Sequence, residues 1–81
     1  MKLPRDLSGM DLVKAMERLG YRISRQTGSH LRLTADLPTQ HHLTIPAHDP
    51  LKIGTLAAIL ADVAAAHRGI SREDLVRLLW D

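Results

Sequence analysis

A small α+β fold, in the order α-β-β-β-α-α, is predicted by three features of this sequence. Two Ser-x-x-Asp pairs, Ser8 with Asp11 and Ser71 with Asp74, have the spacing of helix N-caps. Between them, residues 21–45 alternate polar and apolar side chains in short runs broken by Thr27-Gly28 and by Asp36-Leu37-Pro38-Thr39. After Pro50 the apolar residues return to a helical period.

The first helix follows Ser8, with Asp11 at its electropositive end and Leu12, Val13, Met16 and Leu19 at helical spacing; Gly20 ends it. The first strand covers Tyr21 to Gln26, with Tyr21, Ile23 and Arg25 expected on one side and Arg22, Ser24 and Gln26 on the other. In the second, His30, Arg32 and Thr34 share a face opposite Leu31, Leu33 and Ala35. The third runs from His41 to Ile45 and is stopped by Pro46. Short connections make the three an antiparallel meander. A second helix, about Ile53 to Ala66, carries a Leu56, Ile59, Leu60, Val63 stripe among helix-favouring alanines, and Gly69 closes it. The last helix is expected to turn Leu75, Leu78 and Leu79 inward. The first two helices then cover one sheet face and leave the other open.

Composition bounds the function. At 81 residues the chain is read as one domain, 1–81, and 44% hydrophobic with 25% charged residues excludes a disordered chain. With Tyr21 and Trp80 as the only large aromatics, the core is aliphatic and thin, which favours a stabilising partner subunit. The lack of cysteine removes disulfides and thiolate metal sites and suits a cytoplasmic protein. Met1 to Ser8 is polar, and no apolar run approaches the ~20 residues of a membrane span. The net charge of +2 is unevenly placed: within residues 21–54, Arg22, Arg25, Arg32 and Lys52 oppose only Asp36 and Asp49, beside four of the five histidines. That balance points to a polyanion. Too few rings are present for a base-stacking sheet, so recognition should rest on phosphate and ribose, with low sequence selectivity and strong salt dependence.

Gly20-Tyr21, Gly28-Ser29-His30, Thr44-Ile45-Pro46-Ala47-His48 and Leu51-Lys52-Ile53-Gly54-Thr55-Leu56, in this order, resemble the HicA family of toxin ribonucleases from about Ser8 to Leu79. The resemblance implies a double-stranded-RNA-binding-like fold, mRNA cleavage centred on His30, and neutralisation by a HicB-type antitoxin. Three departures stand out: Ala57 where a basic residue is common, a longer second helix, and no basic residue in 36–40.

Metal-free RNA cleavage needs a proton taken from the 2′-hydroxyl and another given to the leaving 5′-oxygen, steps that suit imidazole. His30 follows a glycine turn on the uncovered face. Arg32, two residues or roughly 6.6 Å along the strand, and Arg25 are phosphate candidates through their guanidinium forks. Lys52 adds a charge beside a helix N-terminus. Each also has a plainer reading as a solvated surface group. Ser29 and Thr27 are hydroxyl donors or simple turn residues. His48 is a second acid or base, or a loop residue bonding backbone. His41 and His42 face opposite ways and cannot easily share one ion, and a zinc set of His30, His42 and His48 is disfavoured because no thiolate or obvious carboxylate accompanies it. No metal or cofactor is expected. His67 is expected on the solvent side of the helix end. The rival functions are a non-catalytic RNA-binding module of the same fold and a domain that docks an acidic protein.

Overall fold

The computed structural model describes residues 3–36, 39–67 and 69–80. The elements follow the expected order: α1 (Gly9–Glu17), β1 (Arg22–Thr27), β2 (His30–Ala35), β3 (His41–Pro46), α2 (Ile53–Ala66) and α3 (Arg72–Trp80). Leu37 and Pro38 of the expected loop lie outside the described residues, as does Met1 of the polar N-terminal stretch. The strands form one antiparallel sheet in the order β1-β2-β3. This is an α+β, double-stranded-RNA-binding-like architecture with an added C-terminal helix.

Ser8 caps α1 in a reciprocal box. The Asp11 backbone N–H donates to Ser8 Oγ at 3.0 Å, and the Ser8 N–H donates to the Asp11 carboxylate at 3.1 Å. Ser71 and Asp74 repeat it before α3. These backbone N–H bonds, and then the serine hydroxyls, hold both carboxyls below the usual carboxylate range.

Helices α1 and α2 lie on one sheet face, and α3 packs against α2. Leu12 and Met16 of α1, Leu33 and Ile45 of the sheet, Leu60 of α2 and Leu75 of α3 are fully buried at their meeting point. Each contributes roughly 1.5–3 kcal/mol of apolar transfer. The Arg18 guanidinium donates to the Leu79 carbonyl at 3.1 Å and ties the end of α1 to the end of α3. Among the described residues no helix is long and apolar enough to cross a membrane.

Two expectations about the core need correction. In α3 the buried residues are Leu75, Val76 and Leu79, while Leu78 is 57% exposed. At 100° per residue, a stripe through Leu75, Val76 and Leu79 leaves Leu78 on the far side. In the first strand, Tyr21 is buried, but the alternation does not continue from Ile23 to Arg25. The pairing shifts between them, from Ile23 opposite Leu33 to Arg25 opposite Arg32, so Ser24 is an extra residue in a β-bulge.

Candidate active site on the open sheet face

The bulge changes which side chains face solvent together. Directly opposed residues share a sheet face, so Arg25 leaves the side of Tyr21 and Ile23 and joins that of Arg32. Thr44 of β3, opposite Arg32, completes a rung of Arg25, Arg32 and Thr44 across the three strands. All three are exposed. Two guanidinium groups placed directly opposite each other repel. Their adjacency stabilises the free fold in no way and suits an anion laid between them.

His30 occupies the next rung, opposite Thr27 on one side and Pro46 on the other, and is exposed. Its position depends on the two-residue turn Gly28-Ser29. Gly28 has φ +57° and Ser29 does not share that sign, the pattern of a type II′ hairpin whose first central residue must be glycine. Ser29 is exposed, and its carbonyl accepts from the Ala47 N–H at 2.6 Å, which carries the β2–β3 ladder past Pro46.

The 47–52 connection leaves the sheet at this same end. His48 is exposed, and its carbonyl accepts from the Gly9 N–H at 2.8 Å, so its backbone anchors the start of α1. Lys52 is the extended N-cap residue of α2, exposed and without a side-chain cap bond. The fold thus places His30, Arg25 and Arg32 on one face by register, with Ser29 in the adjoining turn and His48 and Lys52 on the connection that leaves the same end of the sheet for the helix layer. Among the described residues, no three His, Cys, Asp or Glu side chains converge as metal ligands would.

His41 and His42 part company as alternation requires. His41 pairs with Ala35 on the core side, and its Nδ1 lies 2.6 Å from the Tyr21 hydroxyl. The same hydroxyl lies 3.2 Å from His67 Nε2. His67 therefore does not stand free beside the helix end: as C-cap of α2 its ring turns to Tyr21. Burial, and then the neighbouring His41, lowers the His67 pKa, which works against a cation at that terminus. Burial, with a smaller push from Asp62, raises the Tyr21 phenol to about 12.

His42, which sequence reasoning weighed only as a zinc ligand and did not place in an RNA-binding site, falls on the open face opposite Thr34. Nor did that reasoning find the bulge, although its signal was present. A two-residue turn closing Thr27 on His30 runs, in regular register, to Ile23 opposite Thr34. That would expose Tyr21 and Ile23 together, and only an extra residue reconciles the turn with the apolar pattern.

No curated protein and no solved structure matches the chain. The family described as the HicA toxin of bacterial toxin–antitoxin systems matches residues 9–64. That span begins at the first helical residue, runs through the hairpin and ends within α2, covering more than half the chain and every element that frames the open face. With most of its length matched by that family, the chain belongs to the HicA toxin family.

Proposed function

We propose that this toxin is an endoribonuclease that cuts mRNA through His30 without needing a metal. One observation carries the reading: an exposed imidazole heads the middle strand of an uncovered face, one rung from two guanidinium groups that the bulge sets side by side. The 2′-hydroxyl attacks the adjacent phosphorus, forming the P–O2′ bond as the P–O5′ bond breaks. His30 moves one of the two protons, as general base at the 2′-oxygen or general acid at the 5′-oxygen, and solvent water carries the other. Arg25 and Arg32 hold the phosphoryl oxygens, where charge builds in the transition state. Lys52, Ser29 and His48 contact the neighbouring backbone. The products are a cyclic phosphate and a 5′-hydroxyl.

A HicB-type antitoxin is the proposed partner. Covering the open face would silence the site and add buried area to a thin aliphatic core. The proposed compartment is the cytoplasm, where mRNA substrate is met.

Induced expression of the wild type beside His30→Ala tests the reading. Growth arrest and fragments with cyclic-phosphate ends are expected from the wild type alone. In vitro, loss of the imidazole should lower cleavage ~10²–10⁴-fold. Equal arrest from both proteins would favour a non-catalytic RNA-binding module. Products with 3′-hydroxyl ends, or activity abolished by a chelator, would refute the mechanism.

A further inference from the structure

Thr34 stands in the middle strand on the open face, yet it is only 3% exposed. Its Oγ1 lies 2.8 Å from Ser24 Oγ and 2.9 Å from His42 Nδ1, and Ser24 Oγ lies 3.2 Å from the Arg32 carbonyl. Three contacts require three protons. The two hydroxyls supply one each, and a carbonyl supplies none. The third proton must sit on His42 Nδ1. The direction of the chain follows: His42 Nδ1–H donates to Thr34, Thr34 donates to Ser24, and Ser24 donates to the Arg32 carbonyl. The reverse order leaves the Ser24 contact to that carbonyl without a hydrogen. The bulge residue that realigns Arg25 therefore also selects a histidine tautomer.

In the neutral ring a proton on Nδ1 leaves Nε2 as a bare acceptor. His42 is exposed and shares its face with His30 and Arg32. Among the described residues no side chain donates to this lone pair: the nearby Arg22 guanidinium donates to the Asp36 carboxylate at 2.9 Å instead. A phosphate oxygen only accepts, so it has no bond to make with Nε2. A ribose 2′-hydroxyl can donate. The face carries no Tyr, Trp or Phe to hold a splayed base, so a sugar edge is the donor presented to it. Thr34 is four residues from His30, roughly 13 Å along the strand. His42 thus addresses a different nucleotide from the one being cut.

We propose that His42 Nε2 accepts the 2′-hydroxyl of a nucleotide further along the strand from the scissile one, making the open face prefer RNA to DNA. This rests on the nuclease reading above and assigns to His42 specificity, not proton transfer at the reacting phosphate.

The test measures equilibrium binding of RNA, DNA and 2′-O-methyl RNA of one sequence, by fluorescence anisotropy at fixed salt and neutral pH. His30→Ala protein is used so that no probe is cut. RNA is expected to bind about threefold to tenfold tighter than either analogue, the range one net hydrogen bond supplies. Adding His42→Asn, whose amide still reaches Thr34, should bring RNA to the level of 2′-O-methyl RNA while DNA binding and Tm stay in place. His42→Gln, with a carbonyl at the reach of Nε2, should restore part of the preference. Equal binding of all three probes by the His42-bearing protein overturns the proposal, and so does a preference that survives His42→Asn. If His42→Asn does not fold, equal binding of the three probes still overturns the proposal, and so does a preference left unchanged in His42→Ala. Failure to bind RNA at all sinks the nuclease reading as well.

Discussion

Replacing Arg32 with Gln removes one half of a cross-strand pair of cations and keeps most of the side chain's reach. Arg25 and Arg32 are directly opposed, so their Cβ atoms lie about 4.5–5.5 Å apart. With guanidinium groups at about 6 Å in water, the Coulomb repulsion is about 0.7 kcal/mol, and physiological salt lowers it to a few tenths. Arg32→Gln is therefore expected to raise Tm by about 3–6 °C in low salt, a gain that vanishes in 1 M salt. RNA binding should move the other way. Losing one charge-assisted phosphate contact weakens binding by about 1.5–3 kcal/mol and reduces the slope of log K against log salt by about 0.7. Thermal denaturation at two salt concentrations, with a salt titration of RNA binding by the His30→Ala protein, reads both effects. Loss of stability in low salt, or an unchanged salt slope, would refute the claim that this rung is arranged for an anion at the expense of the free fold.

Gly9→Ala should destabilise the fold although alanine is the better helix former, because a Cβ there collides with the Pro46 carbonyl and the Ala47 backbone. Overpacking against backbone costs about 1–3 kcal/mol. A lower Tm, accompanied by weaker cleavage as the segment beside His30 is displaced, is the expected result. His67 contributes to the acid limb of stability. Because the His67 pKa is lowered on folding, its contribution is complete above the unfolded value of ~6.5 and is lost as pH falls through the folded one. The Tyr21 phenol, raised to about 12, contributes fully below pH ~10 and loses its share as pH climbs toward that value. Tyr21→Phe should remove the alkaline loss and lower stability at neutral pH by about 0.5–1.5 kcal/mol. Denaturant midpoints across pH 5–11 check both limbs.

The parts of this fold that were legible in the sequence are those set by local rules. Ser8, Asp11, Ser71 and Asp74 announce their helices because a capping box is a contact between residues three apart. The faces of β2 and β3 follow from alternation alone, and so does the exposure of His30. What stayed hidden depends on two segments agreeing with each other. The position of Arg25 is decided jointly by the hairpin turn and by the burial of Tyr21, and neither signal alone requires a bulge. The Tyr21–His41–His67 contacts join residues 20 and 46 positions apart, a separation that no local periodicity reports. Leu78 misleads for a different reason: a nine-residue helix offers too few apolar positions to separate a stripe through Leu78 from one through Val76.

The two polar networks give the register of β3 a double duty. His41 and His42 are adjacent, yet one steadies the core side through Tyr21 and the other reaches the open face through Thr34. Because side chains alternate with a period of two, a slip of one residue exchanges them. His42 would then turn to the core side and His41 to the open face, and Leu43 and Ile45 would be brought out of the core. Stability and the proposed site would fail together in any variant that shifts this strand. A substitution that keeps the register, such as His42→Asn, should instead separate them. It leaves the Thr34 hydroxyl a donor and the core untouched, and changes only what the open face presents to a bound sugar.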